Sequence, residues 1–265
     1  MQVVRASGLS DLLDCPARWE SKFVKGMRLP SSAASQLGTA VHAGTAIWDN
    51  AVINHKEPSL EECETAVSET IFHPQNEVDW GEENQSQIEK QAHALLKLYC
   101  EQIAPNQNYV AVEVTCEPID LDELGISLTG TTDRIYRDPL TGKYGIADLK
   151  TGKSAVSADG TVKTTGHVIQ LGVYEVLSSV ALGVKMEAPA LIVGLQNAKT
   201  PAGRRVGIGT VENASNVLLG NPDAGTKGVL EVAAQFLKTG LFFGNPRSSL
   251  CNVRYCPNYH ICSWK

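Results

Sequence analysis

Residues 128–153, LTGTTDRIYRDPLTGKYGIADLKTGK, contain the pattern that decides the fold prediction. Two stretches of alternating polarity flank a turn-rich piece at 138–143, and this arrangement indicates a β-hairpin. Side chains two positions apart on a strand share a face, so Asp148 and Lys150 point the same way. Asp133, on the partner strand, can lie close to both. The stretch therefore predicts that two carboxylates and a lysine converge at one end of a sheet.

Such a group of side chains suits one kind of chemistry. Carboxylates are ligands that hard divalent cations such as Mg²⁺ and Mn²⁺ prefer. A lysine beside the cation can orient or deprotonate a water, or stabilise developing negative charge. The inferred chemistry is metal-assisted hydrolysis of a phosphodiester. The alternative is that these aspartates and the lysine are surface charges, and that the Asp-Pro and Thr-Gly pairs are ordinary turn residues.

Composition places the chain among ordinary globular proteins, with 265 residues of which 43% are hydrophobic. The longest apolar run, near 188–195, is far too short to span a bilayer, and the N-terminus lacks the apolar core of a signal peptide. We therefore expect a cytoplasmic protein with no membrane partner. The seven cysteines are odd in number and unevenly spaced, unlike a secreted disulfide framework. Clustered thiols in a reducing compartment indicate metal ligation.

The net charge of −6 at first argues against a nucleic-acid partner, but the charges are segregated. Residues 45–123 contain 17 of the 29 acidic side chains and only 3 of the 23 basic ones. The rest of the chain, which carries the motifs, is therefore net basic. Local potential steers a polyanion more than total charge does, so a nucleic-acid partner is permitted. The alternative is the chance charge segregation that any chain shows.

Periodicity and capping signals predict the remaining elements. A short first helix is predicted after Ser10, and acidic helices are predicted to end near residue 54, to start at Ser59 and to cover 84–103. The other predicted elements are strands at 109–116, 190–196 and 205–212 and helices at 168–182 and 228–238. No internal repeat or low-complexity linker divides the chain, so we expect one domain over residues 1–265.

The order of the motifs resembles that of a known family. His42 lies on an early helix, Gly130-x-x-Asp133 and Asp148-Leu149-Lys150 lie on strands, and Gln170-x-x-x-Tyr174 lies on the following helix. This order is similar to that of the PD-(D/E)XK nuclease superfamily, and the nearest branch is that of the RecB-like and Cas4-like exonucleases. The resemblance implies an α/β fold with a restriction-endonuclease-like core, a central mixed β-sheet flanked by helices. Residues of about 44–105 would form a helical insertion.

The resemblance also implies a role for each motif residue. Asp133 and Asp148 would ligate the metal, His42 would add a nitrogen ligand and the Leu149 carbonyl would complete the site. Lys150 would position the attacking water. Two further side chains, Gln170 and Tyr174, would brace that lysine or contact the DNA backbone. Glu113, on the preceding strand, is a candidate outer ligand or water-orienting group, or else a solvent-facing carboxylate. Taken alone, His42 would be read as an ordinary helix histidine.

A second constellation consists of cysteines. Cys251-x4-Cys256-x5-Cys262 lies near the C-terminus, and Cys15 lies far upstream. The set is similar to that of RecB-like nucleases of the AddB and Cas4 type, in which one N-terminal and three C-terminal cysteines hold a [4Fe–4S] cluster. That resemblance implies a clip between residue 15 and residues 251–262, although the x4 gap is longer than the more familiar x2. Four thiolates could instead hold Zn²⁺. The other cysteines, Cys63, Cys100 and Cys116, are expected to be small buried hydrophobes.

The expected function is that of a metal-dependent DNA nuclease, an exonuclease acting on DNA ends with Mg²⁺ or Mn²⁺. Its context would be recombination, repair or CRISPR adaptation, for example in a phage. The partners would be DNA with a single-strand annealing or recombination protein, or CRISPR adaptation proteins. The rival is a non-cleaving DNA-end-binding or redox-sensing iron–sulfur module. Residues 220–227 nearly match a phosphate-binding loop, but Gly228 follows where Ser or Thr would bind Mg²⁺, so no helicase motor is expected.

Overall fold

The structure is a computed structural model that describes residues 1–221 and 225–265. Three residues of the loop 220–227 lie outside the described residues. The comparison of this loop with a phosphate-binding loop therefore falls outside them as well. The helices are α1 (Ala6–Asp14), α2 (Pro16–Phe23), α3 (Ala33–Ile53), α4 (Leu60–Phe72), α5 (Gln85–Gln102), α6 (Val168–Leu182), α7 (Ala214–Leu219) and α8 (Val229–Thr239). The strands are β1 (Gln2–Arg5), β2 (Ser31–Ser32), β3 (Val78–Asp79), β4 (Tyr109–Leu121), β5 (Ile126–Arg137), β6 (Tyr144–Gly152), β7 (Ala190–Gln196), β8 (Arg205–Val211), β9 (Gly220–Asn221) and β10 (Thr226–Lys227).

Six strands form one mixed sheet in the order β1-β5-β6-β7-β8, with β4 paired along β5. The β5–β6 pair is the predicted antiparallel hairpin, whereas β6 and β7 are parallel. Strand β5 has two successive partners besides β4, because β1 pairs with residues 126–129 and β6 pairs with residues 134–137. Residues 130–133 lie between the two pairings. The sheet therefore opens at a point next to Asp133.

Both faces of the sheet are covered by helices, as the resemblance implies. Helices α1, α6, α7 and α8 contribute to one apolar cluster, and α3, α4 and α5 contribute to the other. Alternation along the central strands supplies both clusters, since Ile192 faces the first and the next residue, Val193, faces the second. The fold is thus α/β with a central mixed sheet between two helical layers. No helix among the described residues is long and apolar enough to cross a membrane.

Most of the predicted elements are confirmed, and the exceptions have local causes. Helix α6 and strand β7 have the predicted bounds, and Ser59 caps α4 by accepting a hydrogen bond from the Glu62 amide. The predicted cap at Ser10 is wrong, because α1 begins directly after β1 and places Ser10 inside the helix. Strand β4 runs beyond Cys116 because a register irregularity lets it continue along β5 to Leu121.

The connection from β6 to α6, predicted as a polar loop, contains a small hairpin. Val156 and Val162 form a bridge and are both buried. They lie on glycines of β7 and β8, where a β-carbon on Gly194 would come within 2.9 Å of Val156 Cγ2. The missing side chains therefore let the hairpin lie flat on the sheet. This packing fixes the path of the chain between Lys150 on β6 and Gln170 on α6.

Candidate metal centre

The candidate metal centre lies where β5 and β6 separate. Asp133 follows the residues that β1 pairs with and precedes those that β6 pairs with, so its carboxylate reaches into the opening. There the Leu149 backbone N–H donates a hydrogen bond of 2.8 Å to Asp133 Oδ2. The side chain is buried and is tied to the neighbouring strand. The position of Asp133 is therefore set by the strand geometry.

His42 approaches the opening from α3. Its Nε2 lies 3.1 Å from the Leu149 carbonyl oxygen, and because a carbonyl only accepts, Nε2 carries the proton. The other ring nitrogen, Nδ1, faces two carboxylates, at 3.6 Å from Asp133 Oδ2 and 4.0 Å from Glu113 Oε1. A histidine that donates one ring N–H to a backbone carbonyl and presents the other nitrogen is typical of a metal ligand.

Glu113, on β4, completes a group of three possible metal ligands. Ligand atoms of His42, Glu113 and Asp133 all lie within 4.8 Å of one another, and this is the one such group of His, Cys, Asp or Glu found in residues 1–221 and 225–265. Partial burial raises the pKa of Glu113, Asp133 acts in the same direction, and the nearby Arg134 and His42 oppose them. Two carboxylates that disfavour each other's charge become compatible when a cation lies between them.

Asp148 and Lys150 form the second half of the centre. The Asp148 carboxylate is almost fully buried, and Lys150 Nζ lies 2.6 Å from its Oδ2. This contact is an ion pair, and within the described residues the buried oxygen has no other donor. Burial raises the pKa of Asp148 to about 6 and Asp133 adds to the shift, whereas Lys150 opposes it. A buried carboxylate whose one charged partner is a lysine ammonium can also ligate a metal ion.

Lys150 is held on its other side by α6. Its Nζ donates a hydrogen bond of 3.2 Å to Gln170 Oε1, and Gln170 Nε2 donates one of 2.9 Å to the Tyr174 hydroxyl. One helical turn separates Gln170 from Tyr174, so both project from the same face of α6. The chain of contacts fixes the lysine between helix and strand. An open cleft of about 550 Å³ gives access to this lysine, to His42 and to Glu113.

The charges fit a divalent cation. Around the opening, four carboxylates face two permanently cationic side chains: Asp49, Glu113, Asp133 and Asp148 against Arg134 and Lys150. Two negative charges are left uncompensated, which is the charge that one Mg²⁺ or Mn²⁺ neutralises. The donors are oxygens with one imidazole nitrogen, a set that suits these ions. The residues therefore fit a divalent metal site.

The structure brings most of the predicted site residues together, but it groups the possible metal ligands differently from the prediction. Glu113, predicted as an outer ligand or a solvent-facing carboxylate, lies with His42 and Asp133 in the group of three. Asp148 lies outside that group and pairs with Lys150, and the Leu149 carbonyl already accepts from His42.

Three buried residues beneath the centre, Thr45, Asp49 and Arg134, escaped the sequence reasoning. An arginine directly after Asp133, inside a predicted strand, was the available signal.

The four predicted cluster cysteines, which come from the two ends of the chain, lie around a second candidate site. Cys15, at the α1–α2 junction, lines one cavity with Cys251, Cys256 and Cys262. Burial raises the pKa of the Cys256 thiol, and the neighbouring Cys15 and Cys262 thiols act in the same direction. The other cysteines, Cys63, Cys100 and Cys116, are buried in the two apolar clusters, as expected.

Comparison with known proteins places this geometry in a family. Among solved structures, one described as "Crystal structure of SSO0001" shares 16% identity, covers 99% of this chain and 86% of its own, and superposes with a TM-score of 0.43. No curated protein matches the chain. The family comparison matches residues 5–263 to the PD-(D/E)XK nuclease superfamily. The strand opening with its carboxylates and lysine thus lies within a nearly full-length match, and the chain belongs to the PD-(D/E)XK nuclease superfamily.

Proposed function

We propose that the protein is a Mg²⁺- or Mn²⁺-dependent deoxyribonuclease of the RecB-like and Cas4-like branch, and that it hydrolyses phosphodiester bonds at DNA ends. The observation that carries the proposal is the convergence of Asp133, Asp148 and Lys150 with His42 and Glu113 at one opening of the sheet. Membership of a nuclease superfamily supplies the reaction class. The proposal assigns that reaction to these residues.

His42, Glu113, Asp133 and Asp148 are the residues that would hold the cation. The chemistry that a bound divalent ion supplies at such a site is activation of water and neutralisation of charge on the reacting phosphate. Lys150 has a separate role, because its ammonium is held between Asp148 and Gln170 and points to the same opening. There it orients the attacking water and stabilises the negative charge that develops on the phosphoryl oxygens. Water oxygen bonds to phosphorus as the bond to the leaving 3′ or 5′ oxygen breaks.

Small side chains let a DNA backbone approach the centre. The cleft beside Lys150 is lined by Ala34, Ser35, Gly38 and Thr39 from the first turns of α3. A β-carbon on Gly38 would come within 2.7 Å of Thr151 Oγ1, so the helix and β6 are already in close contact there. A strand lying along this cleft would place a phosphate over Lys150 and His42. Tyr174, which accepts from Gln170, steadies the lysine during the reaction.

We also assign a [4Fe–4S] cluster to the four-cysteine cavity. The thiolates around one Zn²⁺ lie about 3.8 Å apart, because each Zn–S bond is about 2.3 Å in tetrahedral geometry. Within the described residues, no three of these sulfurs come within 4.8 Å of one another. The assignment of iron–sulfur over zinc is supported by the resemblance to the RecB-like and Cas4-like branch, in which each thiolate binds a different iron. The cluster would clip residue 15 to residues 251–262 and make residues 1–265 one folding unit with the helical insertion at about 44–105.

Digestion of DNA labelled at its 5′ or 3′ end, in single- and double-stranded form, tests the proposed function. The protein should release nucleotides from an end with Mg²⁺ or Mn²⁺, lose activity with EDTA and leave a covalently closed circle intact. Asp133→Asn serves as the inactive control, because it keeps shape while removing a ligand charge. Tight binding to ends without cleavage by the metal-loaded wild type would favour the non-cleaving module. Cleavage of the closed circle would refute the end requirement.

A further inference from the structure

Arg134 is fully buried directly beneath the metal centre, next to Asp133 in the sequence. Its Nε donates a hydrogen bond of 2.6 Å to Asp49 Oδ2, and its Nη2 donates one of 3.0 Å to Thr45 Oγ1. Its Nη1 donates to the Asp133 carbonyl at 2.8 Å and reaches Glu113 Oε1 at 3.3 Å. One guanidinium therefore contacts strand β4 through Glu113, its own strand β5 through Asp133, and helix α3.

The anchors of this guanidinium come from the helical layer. On α3, Thr45 and Asp49 follow His42 by three and seven positions, so all three residues project from one face toward the sheet. Tyr99 on α5 adds a hydrogen bond of 2.6 Å from its hydroxyl to Asp49 Oδ2. The face of α3 that presents His42 to the centre thus also fixes Arg134. The helical layer sets the relative positions of the histidine and the arginine.

Glu113 needs such a restraint. Its backbone has φ of +49°, in the left-handed region, although it lies inside a long strand. A non-glycine residue in that conformation is strained, and strain of this kind persists only where the surroundings impose it. Its side chain is 42% exposed, so little packing holds it. Among the described residues, the hydrogen bond from Arg134 is the contact that fixes the carboxylate toward Asp133 and His42.

We propose that Arg134 is a positioning residue that, clamped by Asp49 and Thr45, holds the Glu113 carboxylate in place as a ligand of the metal centre. This inference rests on the proposed metal site and adds a route by which the helical layer controls it. The competing explanation is that Arg134 is only a structural staple between α3 and the sheet. A staple stabilises the fold but does not act on metal binding through Glu113.

The two explanations separate in a double-mutant cycle on Mn²⁺ affinity, measured by isothermal titration calorimetry. Asp49→Asn keeps the shape of the anchor and removes its charge. Thr45→Val is a milder second variant that removes a hydroxyl, which accepts from Arg134 Nη2 and donates to the His42 carbonyl. Each is combined with Glu113→Gly, which removes the carboxylate and suits the left-handed backbone. Ser178→Ala is the matched control, because it breaks the buried Thr132–Ser178 hydrogen bond of 2.9 Å on the other side of β5. Melting curves report the stability of every variant.

The positioning role predicts that Asp49→Asn weakens Mn²⁺ binding by about tenfold, the usual effect of removing a partner behind a metal ligand. In the Glu113→Gly background the same substitution should change the affinity by less than about twofold, because the ligand it acts through is gone. Thr45→Val should show the same pattern with a smaller effect. Ser178→Ala should lower the melting temperature and leave the affinity unchanged.

Two results would overturn the inference, and a third would refute only the proposed function. An equal effect of Asp49→Asn with and without Glu113 would show a staple and overturn the positioning role. Unchanged Mn²⁺ affinity in both Asp49→Asn and Thr45→Val would overturn it as well. Wild type that binds Mn²⁺ but does not cleave DNA would refute the proposed function, while the cycle on affinity would still decide the role of Arg134.

Discussion

The two candidate metal-binding sites differ in how much regular structure supports them. One is the carboxylate centre on the sheet, and the other is the cysteine end, which comprises residues 240–265 and contacts Cys15. The carboxylate centre stands on strands β4, β5 and β6 and on the 21-residue helix α3, and its side chains are tied to neighbours by hydrogen bonds. The cysteine end has little regular structure, since the described residues after α8 contain one short 3₁₀ turn. It also exposes apolar side chains, with Leu241 68% and Ile261 75% exposed.

Few contacts attach the cysteine end to the rest of the chain. Asn245 Nδ2 donates to the Asp14 carbonyl at 3.0 Å, the Ser248 hydroxyl donates to Asp14 Oδ2 at 2.6 Å, and the Ala17 amide donates to the Phe243 carbonyl. From this difference we expect the two proposed groups of ligands to depend differently on a bound metal or cluster. The carboxylate centre is preorganised and should keep its fold without metal. The cysteine end should lose its fold with its cluster.

Asp148→Asn should have the largest effect at the carboxylate centre, where it should abolish cleavage without unfolding the protein. Cleavage should fall to background because a metal ligand is lost. The melting temperature of the metal-free protein should stay the same or rise, since the variant removes a buried carboxylate whose pKa is raised by burial. Single-turnover cleavage and thermal melting check both parts, with Asp120→Asn, an exposed aspartate on β4, as the control. Full cleavage by the metal-loaded variant would contradict the site assignment.

Cys15→Ala should have the opposite profile at the cysteine end. A cluster joining residue 15 to residues 251–262 closes a loop over almost the whole chain, which is worth about 5 kcal/mol against the unfolded state. We expect poorly folded, iron-free protein, whereas anaerobically purified wild type should be brown with about four irons per chain. Cys63→Ala, which removes a buried thiol outside the cavity, is the control. An unchanged melting temperature in Cys15→Ala would refute the clip, and one zinc per colourless wild-type chain would refute the iron–sulfur assignment.

Lys150→Met should separate catalysis from metal binding at the carboxylate centre. The single-turnover rate should fall by about 10²–10³-fold, as when one group that stabilises transition-state charge is removed. Mn²⁺ affinity at pH 8 should change little, because the lysine is not a ligand. Lys153→Met, an exposed lysine three residues later, should cleave as wild type does. If Lys150→Met weakens DNA binding while the rate is kept, the lysine is only a phosphate contact.

The smallest effect concerns pH. Asp148 has its pKa raised to about 6 in the folded protein, so the stability it contributes in the protonated form is present at low pH and is lost as the pH rises through about 6. Metal binds the deprotonated carboxylate. The rise in melting temperature caused by Mg²⁺ should therefore be larger at pH 7.5 than at pH 5. Equal shifts at the two pH values would show that Asp148 does not face the ion.

Local patterns carry the part of the fold and site that can be predicted from the sequence. The hairpin of β5 and β6 follows from alternation and turn residues, and the shared face of Asp148 and Lys150 follows from the strand period. The Gln170–Tyr174 pair likewise follows from one helical turn. Each of these inferences involves residues that are close in the sequence. This is why the predicted proximity of these side chains is found in the structure.

The parts that escaped prediction depend on pairings between distant segments. The place of Glu113 opposite Asp133 requires the register of β4 on β5 and a left-handed backbone, neither of which has a local signal. The contact of Asp49 with Arg134 joins residues 85 positions apart. A buried arginine is costly unless it is paired, so its presence inside a central strand indicates that a partner exists but does not identify it.

Anomalous diffraction from an active wild-type protein crystallised with Mn²⁺ tests the central assignment most directly. The account predicts a Mn²⁺ peak at the opening between β5 and β6, about 2.2 Å from His42 Nδ1 and from carboxylate oxygens of Glu113, Asp133 and Asp148. The peak should disappear in crystals of Asp133→Asn, which should also be inactive. An active wild type whose Mn²⁺ peak lies elsewhere, or which shows none at saturating Mn²⁺, would contradict the account.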